Sequence, residues 1–130
     1  MQSESDVSVK TVRVAIPSIS PGGLEAPRAE HFGRAECFTV VDIADREIVG
    51  TEVVSNPPHV DGGCMTPVLL LAEHRVDALV VGGIGGRPLA GFRQVGIQVH
   101  AGVGDDVGTA ARAFAAGQLP PLGPENACQH

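Results

Sequence analysis

Histidine and cysteine, the side chains that bind soft and borderline metals, are unevenly distributed along this chain. Imidazole and thiolate are the ligands preferred by zinc, copper, iron and metal–sulfur clusters. Six such residues lie in or beside three loop-like segments: His31, Cys37, His59, Cys64, Cys128 and His130. The pattern therefore predicts a metal or metal–sulfur cluster site that is built from loops.

Cys64 is the cysteine best placed to bind a metal. It follows two glycines and precedes a predicted helix start, where the helix N-terminus lowers the pKa of a thiol. Cys37 is interpreted as a buried strand cysteine, while Cys128 and His130 are as consistent with a disordered terminus as with a ligand role. There is no Cys-x-x-Cys pair, so a closed structural zinc site is poorly supported.

A glycine-rich segment, residues 82–86, follows a predicted strand and precedes a predicted helix. Open α/β sheets bind ligands at this position, and free amides at a helix start can hold an anionic group. We expect Gly83, Gly85 and Gly86 to contribute such amides. No Gly-Lys-Ser/Thr follows and the dinucleotide fingerprint is not matched, so a tight strand-to-helix turn remains the alternative interpretation.

Composition excludes several other functions. The net charge is −6 with a single lysine, Lys10, which argues against a nucleic-acid partner. No apolar run approaches the roughly 18 residues of a membrane span, and no signal peptide is evident at the N-terminus. An odd number of cysteines favours thiols in a reducing compartment, and we expect a cytoplasmic protein. Acidic residues fall mainly on turns and caps, so no acid–base or nucleophilic constellation is predicted.

The elements that must position these loops follow from hydrophobic periodicity. Continuous and alternating apolar patterns predict five strands and three helices in the order β, ββ, α, β, α, β, α. The predicted ranges are 9–16, 36–43, 47–55, 66–75, 77–81, 87–95, 97–100 and 105–116. This order predicts an α/β fold with a mixed sheet and helices on its faces, in one domain over residues 10–119. Residues 1–9 are predicted to be a disordered tail, and residues 120–130 a flexible tail that carries Cys-x-His.

Two local details of this prediction concern side-chain orientation and capping. In the 47–55 strand, alternation puts Val49 and Val53 on one face and Ile48 and Val54 on the other. Asp105 is the predicted N-cap of the last helix.

The chain resembles the dinitrogenase iron–molybdenum cofactor biosynthesis domains, which include small nitrogenase accessory proteins, over about residues 10–119. The resemblance rests on His-Phe-Gly-Arg-Ala at residues 31–35 and on Gly-Gly-Cys at 62–64 before an Ala/Leu-rich helix. It rests further on the Val-Asp…Gly-x-Gly block at 76–85. His-Phe-Gly and this block at the observed interval form a fairly specific combination.

The resemblance implies a ribonuclease-H-like three-layer fold on a mixed five-stranded sheet. It also implies a non-enzymatic carrier of an iron–sulfur or iron–molybdenum cluster or its precursor, bound without a covalent link. Some relatives hold molybdenum–copper sulfide clusters. By this resemblance His31 is a ligand, beside Phe32 and Gly33. Our leading hypothesis adds His59 and Cys64 as contacts from the second loop, and Cys64 is not required by the general pattern of the family.

The implied partners are cluster donor and acceptor proteins of a metallocluster assembly pathway, and the chain is expected to be a monomer or weak homodimer. Cys128 and His130 would be additional metal ligands. Two alternatives remain at this stage: a metal-free module that docks on a partner protein, and a mononuclear metal hydrolase, which we rank last.

Overall fold

The computed structural model describes residues 11–29, 35–55, 66–82, 86–102 and 104–119. Within these ranges the chain forms five strands and three helices in the predicted order. They are β1 Thr11–Ser18, β2 Cys37–Ala44, β3 Glu47–Ser55, α1 Thr66–Glu73, β4 Ala78–Val81, α2 Gly86–Gln94, β5 Gln98–Ala101 and α3 Val107–Ala115. None of the described helices is long and apolar enough to cross a membrane.

The strands form one open five-stranded sheet in the order β3-β2-β1-β4-β5. The β1–β2 and β2–β3 pairs are antiparallel, whereas β1–β4 and β4–β5 are parallel. The predicted mixed sheet is therefore confirmed, and with helices on both faces the chain has an α/β three-layer architecture.

Two hydrophobic clusters fill the space between the sheet and its helices. The α1–α2 cluster includes Phe38, Val40, Leu71, Leu79 and Phe92. The α3 cluster, on the opposite face, includes Val14, Ile16, Val41, Val80 and Ala111. All four residues of β4 are buried, as the continuous apolar run of a parallel strand covered on both faces predicts.

The β2–β3 hairpin turns at Asp45 and Arg46, which have φ angles of 53° and 67°. Two successive positive φ angles are characteristic of a type I′ turn, whose twist matches that of the flanking strands. The predicted short turn is confirmed.

A β-bulge in this hairpin changes which side chains of β3 face the core. The register shifts between Asp42 and Ile43, and Val49 is the extra residue of the bulge. As a result Ile48 packs against the α3 cluster, whereas Val54 belongs to the α1–α2 cluster. The expectation that Ile48 and Val54 share a face is wrong, because one inserted residue reverses the alternation of the strand.

All three described helices end with the paired hydrogen bonds of a Schellman motif. The outer bonds run from Val76 N to Leu71 O (3.1 Å), from Ile97 N to Phe92 O (2.9 Å) and from Gln118 N to Ala113 O (3.0 Å). The residues with positive φ in these motifs are Arg75, Gly96 and Gly117, at 61°, 84° and 76°.

The N-cap of α3 is Asp106, and the expectation that Asp105 caps this helix is wrong. Asp106 Oδ2 accepts a bond from Thr109 N at 3.2 Å, and its Oδ1 accepts one from Thr109 Oγ1 at 2.7 Å. These two bonds lower the pKa of the Asp106 carboxyl. Asp105 belongs to the preceding loop, where its carbonyl accepts a bond from Arg28 N at 2.8 Å.

Candidate functional site

The ends of the five strands that precede or follow the predicted ligand segments meet at one edge of the sheet. Ser18 at the end of β1 pairs with Cys37 at the start of β2, which pairs with Ser55 at the end of β3. Because β4 and β5 run parallel to β1, Val81 and Ala101 end at the same edge. We call this the carboxyl edge, and any site formed by residues 19–36, 56–65 and 82–85 has to be built on it.

The predicted ligand residues themselves lie outside the described residues. They are His31, Phe32, Gly33, His59, Cys64, Gly83, Gly85, Cys128 and His130. Gly86 is described and opens α2 directly after the glycine segment. The candidate site is therefore defined by the described residues that flank these positions.

The chain leaves the neighbouring strands β1 and β4 toward opposite sides of the sheet, because β2 lies next to β1 on one side and β5 lies next to β4 on the other. The segment after β1 packs on both faces: Leu24 and Ala26 contact or join the α3 cluster, whereas Ile19 and Ala29 contact or join the α1–α2 cluster. Open α/β sheets bind ligands at the carboxyl ends of strands at which the strand order switches in this way.

The loop formed by residues 19–29 is held on the carboxyl edge by buried hydroxyl groups. Ser18 Oγ donates to the Ile16 carbonyl at 2.6 Å and lies 2.8 Å from Thr39 Oγ1, which accepts a bond from Gly23 N at 3.0 Å. Ser18 and Thr39 are fully buried, and these bonds satisfy them. These bonds hold the loop against the ends of β1 and β2.

Cys37 lies beneath this loop and is packed as a core residue. It is 4% exposed, and its Sγ lies 3.8 Å from the Ser18 carbonyl oxygen. Burial, reinforced by the charge of Glu36, raises the pKa of the thiol, and a hydrogen bond with Ser20 offsets only part of this. The prediction of a buried strand cysteine is confirmed.

Arg28 is a residue of the carboxyl edge that the sequence analysis missed. Its Nε and Nη2 donate to the Gly104 carbonyl at 2.9 and 2.7 Å. Its Nη1 lies against Gly102, where an added Cβ would be 2.9 Å from Nη1. Nη1 is buried and has no hydrogen-bond partner among the described residues. The only sequence signal was a cation three positions before the predicted ligand His31.

Within the described ranges, no group of three His, Cys, Asp or Glu side chains is arranged to hold a metal ion. His74 Nδ1 lies 3.9 Å from Glu52 Oε2, and His100 Nδ1 lies 3.2 Å from the Leu119 carbonyl oxygen. These two histidines therefore make structural contacts with other parts of the chain.

Comparison with known proteins places most of the chain in a single family. Residues 10–117 match the family model described as dinitrogenase iron-molybdenum cofactor. This match covers the whole described sheet and all three described helices.

Individual relatives resemble the chain over most of its length. The protein named uncharacterized protein MJ0580, from Methanocaldococcus jannaschii, is 29% identical over 119 residues, covering 87% of this chain and 93% of its own. The crystal structure of PH0822 has 31% identity and a TM-score of 0.74, with 85% of this chain and 96% of that chain covered. The apo form of the orange protein from Desulfovibrio gigas has 28% identity and a TM-score of 0.73, with 85% and 92% covered.

Proposed function

This chain belongs to the dinitrogenase iron–molybdenum cofactor family, and we propose that it binds and carries a metal–sulfur cluster without catalysing a reaction. The cargo would be an iron–sulfur, iron–molybdenum or molybdenum–copper sulfide cluster, or a precursor of one. Donor and acceptor proteins of a metallocluster assembly pathway would deliver and receive it.

One observation carries this proposal. The described strand ends that flank the His31, His59–Cys64 and glycine segments all lie at the carboxyl edge. Segments that are distant in sequence are therefore attached to one end of one sheet. A rigid sheet that presents several loops at one edge is the usual support for a binding site.

Each predicted residue has a role in this proposal. The His31 imidazole would supply an exchangeable ligand, with Phe32 and Gly33 shaping the loop around it. His59 and Cys64 would contact the cluster from the second loop. The amides of residues 83–86, at the start of α2, would neutralise part of its charge. Cys128 and His130 would add ligands from the C-terminal segment.

Charge at the carboxyl edge supports an anionic cargo. The sulfide ligands of a metal–sulfur cluster are anionic, and their sulfur atoms accept hydrogen bonds. Arg28 supplies a permanent cation at this edge with a buried Nη1 that lacks a described partner. The described edge thus offers donors that match an anionic group.

The test is a metal and sulfide analysis of the protein purified without oxygen, compared with its His31→Ala variant. We expect iron or molybdenum together with sulfide in the wild type, and their loss in the variant. Since the chain has no Trp or Tyr, a bound cluster should also dominate the near-ultraviolet and visible absorption.

His74→Ala is the matched control, because it removes an imidazole that contacts Glu52 away from the carboxyl edge. It should retain the cluster. Protein that is metal-free and also refuses reconstitution would overturn the carrier proposal and favour the metal-free docking module. Stoichiometric zinc without sulfide would favour the hydrolase alternative.

A further inference from the structure

We infer that Arg28 is an anion-binding residue of the carboxyl edge, whose guanidinium holds the outer sulfur or oxygen atoms of the anionic cargo. This inference rests on the proposed function and names a contact that the sequence analysis did not contain. It follows from the geometry of the guanidinium, its missing partners and its position over the strand ends.

Among the described residues, the guanidinium of Arg28 forms hydrogen bonds only along the side defined by Nε and Nη2. Nε and Nη2 both donate to the Gly104 carbonyl, at 2.9 and 2.7 Å. A guanidinium has five N–H donors in a fixed planar fork, so these bonds leave the end formed by Nη1 and the second hydrogen of Nη2. That end is the geometry that binds two atoms of one anion.

No described group completes this end of the side chain. Nη1 is buried without a hydrogen-bond partner, and no described carboxylate forms an ion pair with Arg28. The neighbouring Asp106 carboxylate is bonded to Thr109, and Asp105 offers Arg28 its backbone carbonyl. Arginine cannot lose its charge to relieve burial, so a buried unpaired N–H of this kind is costly until an acceptor arrives.

The position of Arg28 places this donor end at the candidate site. Its backbone pairs with Ser18 at the end of β1. Its guanidinium reaches Gly102 after β5, where an added Cβ would also meet Val80 Cγ1 of β4 at 2.8 Å. One side chain therefore extends across the carboxyl ends of β1, β4 and β5. Gly102 permits this because a side chain there would collide with the guanidinium.

The ligand class that fits is a compact anion with several equivalent acceptor atoms. Tetrathiomolybdate and molybdate are tetrahedral dianions of this kind, and the exposed sulfides of a larger cluster present the same acceptor pattern. A planar fork can contact two such atoms at once, which a lysine ammonium cannot do in the same geometry.

The experiment measures equilibrium binding of tetrathiomolybdate to the full chain, without oxygen, for the wild type, Arg28→Gln and Arg28→Lys. Arg28→Gln should weaken binding roughly tenfold or more, and Arg28→Lys should recover only part of it. Arg93→Gln is the matched control, because it removes the same charge from the exposed last turn of α2 and should change binding less than about twofold. Competition with molybdate and with sulfate distinguishes sulfur from oxygen acceptors.

Urea unfolding accompanies each variant, because Arg28→Gln also removes the bonds to Gly104. If that variant does not fold, Gly102→Ala carries the test: it keeps Arg28 but displaces Nη1, and it should weaken binding as well. Equal binding by wild type and folded Arg28 variants would overturn the role of Arg28 and leave the carrier proposal standing. An equal loss of affinity in Arg93→Gln would show that only net charge matters, and it would also overturn the role of Arg28. Failure of the wild type to bind tetrathiomolybdate would overturn the inference about Arg28, whereas the carrier proposal is decided separately by the metal and sulfide analysis.

Discussion

Cys37 and Arg28 show that burial at the carboxyl edge has opposite consequences for a thiol and a guanidinium. Burial raises the pKa of the Cys37 thiol, so this side chain remains neutral and packs as an apolar residue. Arg28 has a cationic guanidinium, whose buried Nη1 lacks a hydrogen-bond partner among the described residues. The first residue therefore stabilises the edge, and the second makes it receptive to an anion.

Cys37 should resist alkylation in the folded protein. The thiolate is the reactive form, and the raised pKa together with 4% exposure keeps Cys37 out of that form and out of reach. Peptide mass mapping after brief iodoacetamide treatment should find Cys37 unmodified in the native protein and modified in urea. Equal labelling in both conditions would contradict the buried position.

The same shift has a consequence for stability. A thiol whose pKa is raised on folding ionises more easily in the unfolded chain, so the free energy of unfolding should decrease as pH rises above the unfolded value. Cys37→Ala should flatten this alkaline decrease in urea titrations. An unchanged slope would show that other groups cause it.

At the scale of the elements, the three described helix ends have the same backbone conformation but different residues at the position with positive φ. Arg75 adopts a φ of 61° in the Schellman motif of α1, where α2 and α3 have Gly96 and Gly117. A β-carbon is unfavourable in this left-handed conformation, and glycine is not. A glycine at the end of α1 would therefore make the folded protein more stable than it is with Arg75.

Arg75→Gly should raise the free energy of unfolding by roughly 0.5–1 kcal/mol, after the greater entropy of glycine in the unfolded chain is included. Gly96→Ala and Gly117→Ala should lower it by a similar amount, because an added Cβ meets nothing within 4 Å and only the backbone cost remains. Urea unfolding measures all three. Arg75→Ala controls for loss of the side chain and should leave stability nearly unchanged.

At the scale of the molecule, Arg13 forms a network of ion pairs and a hydrogen bond at the end of the sheet opposite the carboxyl edge. Arg13 of β1 contacts Asp42 Oδ1 of β2 at 3.0 Å and Glu52 Oε1 of β3 at 3.1 Å, and its Nε donates to the His74 carbonyl at 2.9 Å. One side chain thus joins three strands to the end of α1. The contacts of Arg13 therefore lie at the end of the sheet opposite the proposed anion site.

Arg13→Met should lower the free energy of unfolding by about 1–2 kcal/mol, because it leaves the half-buried Asp42 without its charged partner. Glu52→Gln weakens the more exposed contacts of Glu52 with Arg13 and His74 and should cost less than about 1 kcal/mol. Urea unfolding measures both effects. Tetrathiomolybdate binding should be unchanged in Arg13→Met, and a loss of binding would contradict the separation of the two ends.

The sequence by itself determined the order of the elements, the β2–β3 hairpin, the identity of β4 as a buried parallel strand, and the family. Hydrophobic periodicity and short motifs are local signals, so they can be read directly from the sequence. Only the tertiary structure decided that Val49 is bulged, that Asp106 caps α3 and that Arg28 reaches Gly104, 76 residues away. These outcomes depend on pairing between distant segments, which no local pattern encodes. The same holds for the candidate site. The individual ligand residues, such as His31 and Cys64, remain sequence predictions. Strand pairing in the tertiary structure decides that the segments carrying His31, Cys64 and the glycines begin at the same end of the sheet.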